Sequence, residues 1–91
     1  MNWSSYSIDE SDEFKKSLKG IPKGIFQDFK EKAYPQLREN PSEGHNIIKL
    51  RPPYIGEYRY TKGNYRLIYS IDGEEGIVNI IEFGHRSSIY K

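Results

Sequence analysis

Basic and aromatic side chains alternate along the middle of the chain, where together they could bind a polyanion. Residues 45–71 carry five basic side chains against a single acid, Glu57. Five tyrosines lie among them: Tyr54, Tyr58, Tyr60, Tyr65 and Tyr69. Cations that neutralise phosphates, interleaved with rings on which bases stack, are typical of a nucleic-acid surface. The same pattern also describes solvated strand faces over a tyrosine-rich core, so the composition leaves both interpretations open.

Two arginines of this segment, Arg59 and Arg66, fall on neighbouring predicted strands. If Lys62 and Gly63 form the turn, Arg59 lies directly opposite Arg66 on the same face of the sheet. Guanidinium groups in that position repel unless an anion lies between them, and arginine suits bidentate phosphate contact. One register of the following strand places Glu82 opposite Arg66, where an ion pair would remove the anion site. The sequence leaves both outcomes open.

The alternation of side chains across a strand gives the two predicted faces different compositions. Glu57 and Ile68 share a face with the two arginines. The opposite face is aromatic and apolar, and we expect it to contact the helices: Tyr58, Tyr60, Tyr65, Leu67 and Tyr69.

Proton transfer would need a further group. Histidine titrates between pH 5 and 8, so His85 is a candidate acid or base, although it could equally hydrogen-bond backbone at a strand end. Glu57 is an alternative base, and its structural alternative is an ion pair with Arg59. His45 and Glu43 fall in a loop, and we expect them at the surface. The chain has no cysteine and two histidines far apart in sequence, so we expect no metal site.

Two helices are predicted before the basic segment. Asp9 is a plausible N-cap of the first, and Gly20 ends it. Pro22 suits the first turn of the second, which we expect to finish at Asn40-Pro41. The apolar stripe of the second helix is Ile25, Phe26, Phe29, Ala33 and Leu37.

Pro35 interrupts this stripe. Because proline removes a helical hydrogen bond, it predicts a kink or a restart near Tyr34.

Strand patterns predict the rest of the architecture. Trp3–Ile8 reads as a short strand, and 41–53 as a loop with an apolar middle at Ile47-Ile48. Three strands are expected at 54–60, 65–71 and 77–83. We therefore expect one α+β domain over residues 1–91, with two N-terminal helices packed on a four-stranded, mostly antiparallel sheet.

Overall composition limits the class of protein. The net charge of the 91 residues is only +1, and the charges are arranged in blocks. The longest apolar runs are two residues, so we expect no membrane span, and the N-terminal decapeptide lacks the basic and apolar regions of a secretory signal. We expect a small cytoplasmic protein with no small-molecule cofactor.

A series of motifs, from about Tyr6 onward, is similar to that of a known family. They are Phe14-x-Lys16-x-Leu18, Asn40-Pro41-x-x-Gly44, Lys49-Leu50, Gly56-Glu57-Tyr58-Arg59, Gly63-Asn64-Tyr65-Arg66-Leu67-Ile68-Tyr69, and Gly84-His85-Arg86 followed by Ile89-Tyr90. The combination resembles the RelE/ParE toxin superfamily of bacterial and archaeal toxin–antitoxin modules, and in particular its RelE branch.

The resemblance implies a type II toxin that enters the ribosomal A site, cleaves mRNA there and inhibits translation. The ribose 2′-hydroxyl would attack the adjacent phosphate, giving a 2′,3′-cyclic phosphate and a 5′-hydroxyl end, with no metal or cofactor. The implied partners are the ribosome, mRNA and a cognate RelB-like antitoxin. Two alternatives remain: a ParE-like DNA gyrase poison without nuclease activity, and an inactive member of the superfamily that acts by binding.

The resemblance also assigns roles to individual residues. Arg66 matches the phosphate-stabilising arginine, and Arg86 matches a second arginine that stabilises transition-state charge or acts on the leaving oxygen. Tyr90 matches a C-terminal tyrosine that stacks on the base or assists proton transfer. Arg59 matches a position that is a lysine in the best-known branch. Glu57, two residues earlier, stands at a second position that is a lysine there. Three further cations would bind ribosomal or messenger phosphates nonspecifically: Lys49, Arg51 and Lys62.

Overall fold

The fold is a mixed sheet with two helices on one face, as seen in a computed structural model that describes residues 5–88. In chain order the elements of this range are β1 (Ser7–Glu10), α1 (Asp12–Ser17), α2 (Lys23–Glu39), β2 (Ile47–Lys49), β3 (Glu57–Lys62), β4 (Tyr65–Asp72) and β5 (Ile77–His85). The strands form one sheet in the order β1-β5-β4-β3-β2. β1 runs parallel to β5, and the other three pairings are antiparallel.

The sheet has five strands rather than the expected four, and β2 is the strand that was not predicted. This strand lies inside the predicted loop 41–53 and pairs with β3, with Ile48 opposite Arg59. A run of three residues is too short to show a period of two, and only its pairing with β3 makes it a strand. The first strand begins at Ser7, and Trp3 lies outside the described residues.

The first helix begins later than predicted. The side chain of Ser11 caps α1 by accepting a hydrogen bond from the Phe14 N–H at 3.0 Å. Asp9 instead lies in β1, where it pairs with Asn79 of β5. α1 ends at Ser17, close to the predicted end at Gly20. Gly20 takes a φ of +83° in the turn that follows the helix.

The second helix has the predicted ends but not the predicted interruption. α2 follows Pro22 and ends with Asn40 as its C-cap, which confirms both boundaries. It continues through Pro35, so the restart near Tyr34 is wrong. Ala33, Tyr34 and Leu37 are buried on both sides of the proline, and their packing offsets the roughly 3 kcal/mol that an internal proline costs.

The core lies between the helices and one face of the sheet, as the tyrosine-rich face predicted. Phe83 of β5 is its centre: its ring lies 4.8 Å from that of Phe29 and 5.0 Å from that of Phe26, centroid to centroid. The ring of Tyr65 stacks on Phe83 from the neighbouring strand, at 5.3 Å. We call this side of the sheet the helix face.

Two buried tyrosines have hydrogen-bond partners in other elements. The Tyr69 hydroxyl donates to the Pro41 carbonyl oxygen at 2.6 Å, and the Tyr34 hydroxyl donates to the Glu10 carboxylate at 2.8 Å. Burial is the main cause that raises the pKa of both phenols, far above their ordinary value. Neither α1 nor α2 is long and apolar enough to cross a bilayer, and these are the helices of residues 5–88.

Candidate functional site

The β3–β4 hairpin positions Arg59 and Arg66 on one face of the sheet. Arg59 pairs with Ile68, and Arg66 pairs with Thr61. The predicted turn at Lys62-Gly63 is therefore wrong by one position, because Gly63-Asn64 form the turn. Gly63 takes a φ of +63°, a conformation that lysine rarely adopts.

The shift changes the pairing but not the face. Every cross-strand partner moves by two residues, and side chains repeat every two residues along a strand. Arg59 and Arg66 therefore lie on the same face as predicted, as diagonal rather than direct neighbours. We call this the arginine face.

The β4–β5 pairing does not place Glu82 directly opposite Arg66. A β-bulge shifts the register between Ile68 and Tyr69, so Glu82 lies opposite Ile68 and Gly84 lies opposite Arg66. No ion pair joins either arginine to a carboxylate within residues 5–88. The residue directly opposite Arg66 is therefore a glycine, which has no side chain to contact the guanidinium group.

A cavity of about 540 Å³ opens on the arginine face. We call it the arginine cavity, and its lining residues are His45, Asn46, Ile48, Arg59, Thr61, Lys62, Gly63 and Arg66. β3 and β4 supply the cations, and β2 with the residues just before it closes the opposite wall. No acidic side chain of the described range lines it.

Three polar atoms of the residues that line this cavity have no hydrogen-bond partner in the described part of the chain. Arg59 Nε, Thr61 Oγ1 and Arg66 Nε are all buried, and none has a hydrogen-bond partner within residues 5–88. Burial, followed by the charge of Arg66, lowers the pKa of Arg59. Two clustered guanidinium groups that line an open cavity are suited to a bound anion, which would neutralise their charge.

The two C-terminal candidates are only partly described. Arg86 directly follows β5, is exposed, and donates its backbone N–H to the Asn64 carbonyl oxygen at 2.8 Å. Its backbone is thereby joined to the turn whose Gly63 lines the arginine cavity, although Arg86 itself is not among the lining residues. Tyr90 lies outside the described residues.

The structure does not bring His85 into the arginine cavity. His85 pairs with Tyr65, and the two rings meet edge to face at 5.4 Å. Since Tyr65 stacks on Phe83, the His85 ring lies on the helix face. Its Nδ1 lies 2.8 Å from the Ser87 hydroxyl oxygen. Beyond the bulge, Phe83 and His85 point to the helix face while Glu82 and Gly84 point to the arginine face, so the predicted acid or base His85 lies on the face opposite to Arg66.

The other predicted residues are divided between the cavity and its surroundings. Lys62 lines the arginine cavity. Lys49 and Arg51 are exposed outside it, at the β2 edge of the sheet. Glu57 is on the arginine face but pairs with Ser70, at the far end of β3 from the turn, and it does not line the cavity.

His45 is the residue that sequence reasoning missed. It is exposed, as expected for a loop residue, yet it lines the arginine cavity. The Thr61 N–H donates to the Asn46 carbonyl oxygen at 3.0 Å, so the chain before β2 lies directly beside β3. The apolar pair Ile47-Ile48 is the signal that could have identified His45, because an edge strand at this pair would place His45 beside β3.

Known proteins are similar to this chain over most of its length. A family model described as the ParE toxin of the type II toxin–antitoxin system parDE matches residues 8–90. Toxin RelG of Mycobacterium tuberculosis is 29% identical over 86 residues, which cover 94% of this chain and 97% of RelG.

Solved structures give the same result. The toxin–antitoxin complex RelBE2 of Mycobacterium tuberculosis superposes with a TM-score of 0.81 at 26% identity, covering 96% of this chain and 98% of the matched one. The RelB–RelE antitoxin–toxin complex of Methanococcus jannaschii gives 0.65 at 26% identity, covering 90% and 94%. The chain therefore belongs to the ParE toxin family of type II toxin–antitoxin systems, and within the RelE/ParE superfamily it is RelE-like.

Proposed function

We propose that this toxin is a metal-independent endoribonuclease that cleaves mRNA in the A site of the ribosome and thereby inhibits translation in the cytoplasm. The arginine cavity carries the proposal. Arg59 and Arg66 lie together in it with unpartnered Nε atoms, and no acid of residues 5–88 lines it. A scissile phosphodiester is an anion that guanidinium groups bind, and in this cavity it would neutralise their charge.

The proposed chemistry is attack of a ribose 2′-hydroxyl on the adjacent phosphorus. Negative charge builds up on the phosphoryl oxygens in the transition state, and fixed guanidinium groups stabilise it there more than in the ground state. Arg66 is the principal donor and Arg59 the second. Arg86, which follows β5 beside the turn, adds charge near the leaving oxygen, and Tyr90 stacks on a base.

The remaining cations serve affinity rather than chemistry. Lys62 at the cavity, with Lys49 and Arg51 at the β2 edge, would contact ribosomal or messenger phosphates. Because such contacts release counterions, we expect them to set the salt dependence of ribosome binding.

We further infer that a RelB-like antitoxin is the cognate partner. RelB is the antitoxin of the solved RelB–RelE complexes of Methanococcus jannaschii and Pyrococcus horikoshii, both 26% identical to this chain. An antitoxin of this kind would cover the arginine cavity or prevent its entry into the ribosome.

Replacement of Arg66 by alanine tests the proposed function. Programmed ribosomes are incubated with the toxin, and the mRNA ends are mapped by primer extension. We expect wild type to cut within the A-site codon, and Arg66→Ala to lose on the order of 10²-fold in rate or more. Lys32→Ala, which removes the same charge from the exposed face of α2, should keep the wild-type rate. Unchanged cleavage by Arg66→Ala would remove Arg66 from the mechanism.

The ParE family match favours a second candidate function, poisoning of DNA gyrase without nuclease activity. The endoribonuclease and the gyrase poison are distinguished by assaying one toxin preparation on programmed ribosomes and on DNA gyrase. Cut mRNA without trapped gyrase–DNA complexes supports the nuclease. Trapped complexes with intact mRNA support the gyrase poison, and growth of cells that express the toxin alone would indicate an inactive binding member.

A further inference from the structure

Internal cleavage of RNA requires a base for the 2′-hydroxyl proton, and the two bases predicted from sequence lie elsewhere. His85 is on the helix face, and Glu57 is outside the arginine cavity at the far end of β3. Among the described residues that line the cavity, the cations are Arg59, Lys62 and Arg66, and protonated cations cannot accept a proton. His45 is the lining residue of a type that exchanges a proton between pH 5 and 8.

The backbone on both sides of His45 is held by neighbouring elements. On one side, the Gln36 side-chain amide of α2 donates to the carbonyl oxygens of Asn40 at 3.1 Å and Glu43 at 3.3 Å. On the other side, Asn46 accepts from the Thr61 N–H at 3.0 Å and donates from its side chain to the Tyr60 hydroxyl at 3.3 Å. His45 thus lies between two anchored positions rather than on a free loop.

Gly44 adds a steric reason for this path. A Cβ at position 44 would lie 3.0 Å from the Gln36 amide nitrogen and 3.2 Å from the Ile47 side chain. The small residue lets the chain pass close to α2 before it turns into β2. This close passage places the next residue, His45, at the mouth of the cavity.

The charged groups that face His45 come from two strands and its own loop. β3 contributes Arg59 and Lys62, and β4 contributes Arg66. On the loop, Glu43 is exposed, two residues before His45, and does not line the cavity. A phosphodiester held by the two arginines would therefore lie in the same cavity as the imidazole, with no carboxylate of residues 5–88 in the lining to compete as the base.

We propose that His45 is the general base of the reaction, an inference that rests on the proposed endoribonuclease function. The His45 imidazole takes the proton of the ribose 2′-hydroxyl as the O2′–P bond forms. The P–O5′ bond breaks, and the departing 5′-oxygen takes a proton from solvent water. The imidazolium then returns its proton to solvent, so that the cycle is balanced without a metal or cofactor.

The pH profile of cleavage tests this assignment. Single-turnover rates are measured on programmed ribosomes at saturating toxin from pH 5.5 to 8.5. We expect the wild-type rate to rise about tenfold per pH unit at the acidic end and then level off, as for a base that must be unprotonated. His45→Gln should be about 10²-fold slower or more at the plateau and should lose this inflection.

Two further variants distinguish chemistry from structure. Free imidazole should partly restore His45→Ala, because the truncated side chain leaves room beside the arginines; failure of imidazole to restore it counts against a proton-transfer role. His85→Gln, which removes the histidine of the helix face, should keep the wild-type inflection. Thermal unfolding by circular dichroism should be the same for wild type and His45→Gln, since His45 is exposed.

Each remaining outcome overturns either the assignment of His45 alone or the proposed endoribonuclease function together with it. If wild type cleaves and His45→Gln keeps its rate and profile, the assignment of His45 is wrong while the proposed function stands. A slow His45→Gln that keeps the inflection makes His45 a positioning residue and also overturns the assignment. If wild type cuts no mRNA at any pH, both the proposed function and the assignment fail.

Discussion

At the scale of single residues, Arg59 and Arg66 are placed for binding rather than for stability. Their Nε atoms are buried without partners in the described structure, and burial, followed by the charge of Arg66, lowers the pKa of Arg59. Like charges on adjacent strands and unused buried donors both weaken a fold. Clustered cations that line an open cavity at a cost in stability are typical of a binding site.

Replacement of Arg59 by methionine should therefore separate stability from activity. We expect Arg59→Met to raise the free energy of unfolding by a few tenths to about 1 kcal/mol, because it removes the repulsion of Arg66. The same variant should cleave mRNA more slowly, because one phosphate donor is lost. Urea denaturation and the programmed-ribosome assay measure the two effects. A stability loss together with wild-type cleavage would mean that Arg59 is structural.

At the scale of elements, the arginine cavity is a product of strand pairing. The turn at Gly63-Asn64 sets the β3–β4 register, the β4–β5 register places Gly84 rather than Glu82 opposite Arg66, and β2 closes the outer wall. None of these elements is catalytic, yet each decides which side chains reach the cavity.

The turn can be tested with two substitutions at one position. Gly63 has a φ of +63°, where alanine is disfavoured by roughly 1–2 kcal/mol, while asparagine tolerates the conformation better. A Cβ at this position would meet no atom within 4 Å, so the cost is conformational rather than steric crowding. We expect Gly63→Ala to lower the free energy of unfolding in urea by about that amount, and Gly63→Asn to lower it less. Equal losses in the two variants would show that backbone conformation is not the cause.

At the scale of the whole molecule, buried tyrosine hydroxyls join the layers. The Tyr34 hydrogen bond connects α2 to Glu10 of β1, and the Tyr69 hydrogen bond connects β4 to Pro41, which follows α2. Both tyrosines are buried, with 3% and 0% of their surface exposed. Their phenols must therefore stay protonated for the layers to remain packed.

These tyrosines predict a loss of stability in alkaline solution. Burial raises the pKa of Tyr69 in the folded state, whereas an unfolded tyrosine ionises near pH 10. Above that pH the unfolded state loses protons that the folded state keeps, so stability falls by up to about 1.4 kcal/mol per pH unit for each such group. Tyr69→Phe should be less stable at pH 8, because it lacks the bond to Pro41, but its stability should decline less steeply from pH 10 to 11.5. Urea unfolding across this range measures the slope, and an unchanged slope in the variant would contradict the prediction.

The structural features that were predicted correctly from the sequence are those that depend on local interactions. The helix face and the arginine face were assigned correctly, although the turn was misplaced, because the shift of the cross-strand partners was an even number of residues. The ends of α2 at Pro22 and Asn40 were also correct, since proline and the C-cap act within one turn. The restart at Pro35 was wrong because distant packing by Ala33 and Leu37 outweighs the local preference.

The alternation of arginine and tyrosine, the two opposed faces and the family motifs were determined by the amino-acid sequence alone, because each depends on the order of residues along one strand. Tertiary structure alone decided that β2 joins the sheet, that Gly84 rather than Glu82 lies opposite Arg66, and that His45 rather than His85 lines the arginine cavity. Those outcomes depend on hydrogen bonds between strands far apart in the chain, and a pattern within one strand carries no information about its partner's register.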